Sequence, residues 1–176
     1  MLNPYKYTHE SSGALYFSTD AGREYRAFLV EGDGYFPAYP NISAYMFVFS
    51  FVPVGEYYTG EIETIDGNRK RRVRSDPRVR DTILTVIIDY LTHNKDHGLI
   101  YICDTKHRAG ISRNQLFGKW KSAVQVSITK HDVAIHDGDG NPSAYVSLLI
   151  HDDCTHYQEM VDAFMAIDDD LRDKGY

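Results

Sequence analysis

Between Asp76 and Trp120 the chain reads as helix, strand and helix in one run, and that run constrains the fold more than any other stretch. Ser75-Asp76-Pro77 places an acidic N-cap before a proline at the first helical position, where its missing N–H costs nothing. Val79, Ile83, Val86, Ile87, Tyr90 and Leu91 then recur at helical spacing. Leu99-Ile100-Tyr101-Ile102-Cys103 is a short apolar run of the kind that fills a central strand. Ser112-Arg113-Asn114-Gln115 is a capping box, and Leu116, Phe117, Trp120 and Ala123 behind it form one apolar face.

Strands flank this run on both sides. Ala14–Thr19 and Glu24–Val30 read as a hairpin turning at Asp20-Ala21-Gly22. Residues 31–41 read as a loop, and Ile42–Val52, apolar on both faces, as a central strand. Glu61–Ile65 is a further short strand candidate, and Arg69–Arg74 an edge strand or loop. Beyond the run, residues 124–135 and Ala144–Ile150 alternate as two strands joined by a loop over Asp137–Pro142. Thr155-His156-Tyr157-Gln158 is a second capping box, opening a helix with Met160, Val161, Phe164 and Ile167 on one face. The reading is one α+β domain over residues 1–176 with 1–13 as a loose polar lead-in. Its sheet is mixed and mainly antiparallel, with helices packed on it in the order meander, helix, strand, helix, hairpin, helix.

Composition enters through charge and cysteine. The net charge of −6 conceals 13 Lys+Arg against 5 acids in residues 69–121, leaving 6 against 20 elsewhere. Arg69, Lys70, Arg71, Arg72 and Arg74 fall almost consecutively, with Arg78 and Arg80 just beyond. This is a candidate contact surface for an acidic protein or nucleic acid. The competing reading is a solvated loop, or one neutralised by the last 46 residues, which hold 11 acids against Arg172 and Lys174. Two cysteines are too few for a disulfide framework, and no apolar run approaches the ~18–20 residues of a membrane span. No signal-peptide pattern opens the chain, so a cytoplasmic location and no membrane partner are expected. The 14 tyrosines fit half-buried strand surfaces.

Several constellations tempt a catalytic reading and stop short of one. His131, His136, His151 and His156 lie near aspartates, but hairpin pairing separates His136 from His151, so no metal is expected. Asp137-x-Asp139-x-Asn141 begins like a calcium loop and then carries Pro142 where glycine is needed. No Walker loop, nucleophile elbow, His-Glu-x-x-His or Cys-x-x-Cys occurs. Asp104 and Arg113 should face each other where the central strand gives way to the next helix, and an ion pair there is the expected role.

Three resemblances follow from these residues. The element order over residues 14–151 resembles the second half of the GCN5-related N-acetyltransferase fold. That likeness implies an acyl-CoA pyrophosphate held by backbone N–H groups at the helix after the meander. The corresponding stretch, Arg74-Ser75-Asp76-Pro77-Arg78-Val79-Arg80, has no glycine, loses a donor at Pro77 and sets a carboxylate beside the phosphates. An acyl-CoA-dependent N-acyltransferase with a degenerate pyrophosphate loop is therefore the alternative, and no cofactor is expected. Lys106-His107-Arg108-Ala109-Gly110-Ile111-Ser112-Arg113 resembles the phosphate loop of dual-specificity phosphatases at Gly110, Ser112 and Arg113, but His107 occupies the nucleophile's place. Without a thiolate there is no phospho-enzyme chemistry. Finally, Asp76, Arg78, Val79, Thr82 and Ile83, with Cys103, Asp104, Arg113, Leu116, Phe117 and Trp120, resemble a small uncharacterised family of bacterial proteins, over roughly residues 14–123. The sequence thus points away from an enzyme and towards an interaction protein, with Asp104, His107, Ser112 and Arg113 as secondary candidates.

Overall fold

The apolar run at Leu99–Cys103 does form a central strand. A computed structural model describes residues 2–11, 13–54, 76–104, 127–136 and 139–167. Its strands are β1 (Tyr7–His9), β2 (Leu15–Ser18), β3 (Glu24–Glu31), β4 (Met46–Pro53), β5 (Gly98–Asp104), β6 (Ile128–His136) and β7 (Pro142–His151). The helices are α1 (Pro40–Ser43), α2 (Pro77–His93) and α3 (Tyr157–Met165), with a 3-10 turn at Asp33–Tyr35. The fold is α+β. Its seven strands lie in the order β1-β2-β3-β4-β5-β7-β6, antiparallel except for β4 and β5.

Alternation along the strands sends side chains to two opposite layers. On one face Leu15, Phe17, Ala27, Phe49, Leu99 and Tyr101 meet Ile83, Ile87 and Leu91 of α2. On the other, Ile100, Val146, Leu148 and Ile150 meet Met160, Ala163 and Phe164 of α3. Leu91, Leu148, Ile150 and Phe164 have no exposed surface, and each such side chain contributes about 1.5–3 kcal/mol by leaving water. Cys103 and Cys154 are buried, not joined in a disulfide, and on opposite faces of the sheet.

α2 starts where the sequence places it. Asp76 is its N-cap, accepting the Arg78 N–H at 2.9 Å, and Pro77 occupies the first turn. The β2–β3 hairpin turns through Gly22 at φ +76°, with Thr19 N–H bonded to Arg23 O at 2.8 Å. In the β6–β7 ribbon His136 pairs with Pro142 and Ile128 with His151, at opposite ends as expected.

Three expectations need correction. Within the proposed loose lead-in 1–13, residues 5–9 are tied to the fold. Tyr7–His9 pairs with Leu15–Phe17, Tyr5 is buried, and the Tyr5 N–H donates to Thr82 Oγ1 at 2.8 Å. Packing and hydrogen bonds to α2 outweigh the polarity of the segment. The proposed strand Ile42–Val52 starts only at Met46, because Pro40 at a helix start winds residues 40–43 into α1. It is also not covered on both sides throughout, since Val52 is 45% exposed. The capping box at Thr155 is not formed: His156 is the N-cap of α3 without a side-chain bond. The Thr155 N–H is instead held by Asp96 at 2.8 Å. The candidates Glu61–Ile65, Arg69–Arg74 and the helix from Ser112 lie outside the described residues. Among the described residues no helix is long and apolar enough to cross a membrane.

Candidate functional site

Three places in this fold merit a functional reading: the fork between β4 and β5, the tip of α2 and a cleft beneath α2's second half. The fork arises because the parallel ladder holds only Met46 to Gly98, Phe47 to Leu99 and Val48 to Ile100. Beyond it β4 stays with β3 and β5 stays with β7, so the two strands part. The first side chains past the fork on the α2 face, Phe49 and Tyr101, are buried in the cluster beneath that helix. Burial pushes the Tyr101 hydroxyl well above the usual phenol range.

The tip of α2 is already occupied by the chain's own groups. Asp76 Oδ1 accepts the Arg78 N–H, Asp76 Oδ2 accepts the Tyr5 hydroxyl at 2.7 Å, and the Asp76 carbonyl accepts the Val79 N–H at 3.2 Å. Pro77 has no N–H to offer. A helix start binds an anion through free donors, and here the Asp76 carboxylate holds the Arg78 N–H and the Asp76 carbonyl the Val79 N–H. The bond from Tyr5 to this carboxylate, together with its burial, raises the phenol's pKa.

The arginines at this tip serve the fold. The Arg78 guanidinium stacks 3.8 Å from the centre of the Tyr5 ring and pairs with Asp20 at 2.9 Å. It also donates to the Asn3 and Pro4 carbonyls. Arg80 pairs with buried Asp81 at 2.6 Å, and Asp81 accepts the Asn3 N–H at 3.0 Å. Burial alone would raise the Asp81 carboxyl; the Asn3 N–H and the Arg80 guanidinium outweigh it and hold the carboxyl below the usual range. Of the basic run, then, Arg78 and Arg80 are brought together near residues 3–5. Arg69, Lys70, Arg71, Arg72 and Arg74 lie outside the described residues, as do His107, Ser112 and Arg113. Asp104 ends β5 opposite Ala144, with its side chain outside the description.

Sequence reasoning missed the cleft. It holds about 380 Å³ between the second half of α2 and strands β1 to β3. Buried Leu15, Ala27, Phe49, Ile87 and Leu99 floor it, and Tyr7, His9, Asp89, Tyr90 and His93 rim it. The Tyr7 hydroxyl donates to Asp89 Oδ2 at 3.0 Å, and burial with this bond raises its pKa. The available signal was the alternation of Tyr5, Tyr7 and His9 in a stretch otherwise read as polar.

At the other end of α2, Tyr90 and His97 join at 2.7 Å between Tyr90 Oη and His97 Nδ1. The His97 ring lies 4.9 Å from that of Phe47. Burial pulls the His97 pKa down. Beside it, Lys95 pairs with Asp153 at 2.9 Å and Asp96 holds Thr155, which keeps both carboxyls below the usual range and fastens the α2–β5 turn to the β7–α3 turn. Among the described residues no three His, Cys, Asp or Glu side chains are placed to hold a metal ion.

Comparison with curated proteins and with solved structures finds no match. A family of unknown function, DUF6169, matches residues 75–166, from the residue before the α2 cap through the end of α3. That stretch covers just over half of the 176 residues, and the chain belongs to this family.

Proposed function

We propose that this chain is a non-catalytic binding protein of the bacterial cytoplasm, built as one domain on an acetyltransferase-like sheet and contacting an acidic protein or nucleic acid through Arg69–Arg80. The observation that carries the non-catalytic part is the tip of α2, where Asp76 itself takes the Arg78 and Val79 N–H groups and Pro77 has none to offer a coenzyme's phosphates. The contact surface is Arg69, Lys70, Arg71, Arg72, Arg74, Arg78 and Arg80, the last two also pairing with Asp20 and Asp81. Two buried cysteines that form no disulfide suit a reducing compartment.

The fork between β4 and β5 favours a second reading, an acyl-CoA-dependent acyltransferase, because the parallel ladder ends after three pairs and the two strands part beyond it. Two titrations separate the readings. Binding to poly-glutamate or duplex DNA should weaken with salt and vanish in the R69E/R71E/R72E variant, while acetyl-CoA gives no heat in calorimetry. Micromolar acetyl-CoA binding would establish the second reading instead. Polyanion binding that survives the triple substitution would remove the arginine run as the contact.

A further inference from the structure

The cleft beneath α2 has a composition that selects a ligand. Its floor is aliphatic and aromatic, and its volume of about 380 Å³ falls within the range of small-molecule sites. Among the described residues, the lining carries one carboxylate, Asp89, and neither lysine nor arginine. Asp89 is exposed at the rim, and its Oδ2 accepts the Tyr7 hydroxyl, which fixes the carboxylate beside the opening. The rings of Tyr7 and Tyr90 also line the cleft. A carboxylate among phenol rings attracts a cation twice over, by charge-assisted hydrogen bonding and through the ring faces. Among the described residues, nothing in the lining offers a matching fixed charge to an anion.

We propose that this cleft binds a small cationic amphiphile: an alkyl chain or single ring buried on Leu15, Ala27, Phe49, Ile87 and Leu99, with a protonated amine at Asp89. The site lies under the second half of α2, away from the Asp76 tip, and stands independently of the function proposed above.

The test compares n-heptylamine, n-heptanol and heptanoate by NMR shift mapping on the isotope-labelled full chain. At pH 8 ordinary imidazoles are neutral and alkylamines are protonated. The amine should bind about tenfold more tightly than the alcohol, the order expected for a hydrogen bond to a charged group, and shift the amides around Ala27, Val86 and Leu99. Asp89→Asn keeps an acceptor for Tyr7 and should bring amine and alcohol to equal affinity. Val86→Trp at the half-buried wall should abolish both. Equal binding of the three probes by the unaltered chain, preference for heptanoate, or no binding at all would overturn the proposal, as would an amine preference that survives in D89N.

Discussion

The Tyr5 hydroxyl donates to Asp76 Oδ2 across 71 residues of sequence, so the N-terminal segment closes the cap of α2. Tyr5→Phe should lower unfolding free energy by about 1.5–3 kcal/mol, the range for a hydrogen bond to a charged group. Asp76→Ala should cost at least as much, since it also releases the Arg78 N–H. Denaturant midpoints measure both, and an unchanged midpoint in Y5F would mean the segment is not held as described.

Asp81 makes the molecule sensitive to acid. Its carboxyl is held below the ordinary aspartate value of about 4. Its contribution is therefore full above that value and is lost as pH falls through the lower folded-state value. Asp81→Asn should destabilise at pH 7 by about 1–2 kcal/mol and flatten the acid limb of the stability curve. Urea titrations between pH 2 and 7 on both proteins read the difference directly.

His97 acts in a higher window. Burial lowers its folded-state pKa below the ordinary value of about 6.5. The folded state then takes up protons less readily than the unfolded chain, so stability is full above that value and declines as pH falls below it. His97→Gln keeps an acceptor for Tyr90 and should remove the decline between pH 7 and 5. Thermal melts at half-unit pH steps check this.

Two glycines should respond to alanine for different reasons. At Gly32 a Cβ would run into the Met46 carbonyl, and overpacking of this kind costs about 1–3 kcal/mol. At Gly22 there is open space but φ is +76°, so the cost should be the backbone strain alone, about 1–2 kcal/mol. Melting temperatures of G32A and G22A, each compared with Ala substituted at exposed Arg23, separate the two effects.

The regular parts of this fold were legible because local signals and burial agree there. α2 announces itself through Asp76-Pro77 and its apolar spacing, and β5 and β7 through apolar runs bounded by turn residues. β1 was not legible. Three residues with one tyrosine carry no periodicity, and what holds them is pairing with β2 and the bonds from residues 3 and 5 to α2. Thr155 misled because its box pattern is local, whereas Asp96 reaches the same N–H from another turn. Arg78 does more than its place in a basic run announces, since it also pairs with Asp20 and stacks on the Tyr5 ring. The cleft, whose walls come from β1, β3 and α2, belongs to no single stretch of sequence.

The bond from the Tyr5 N–H to Thr82 spans 77 positions, and this has a consequence for the order of assembly. During synthesis β1 emerges long before the helix that anchors it exists. Contacts between segments so far apart in the chain form slowly, because a large loop must close first. β1 is therefore locked in place only once α2 has been made, and until then Tyr5 and Tyr7 remain open to any chaperone that meets them.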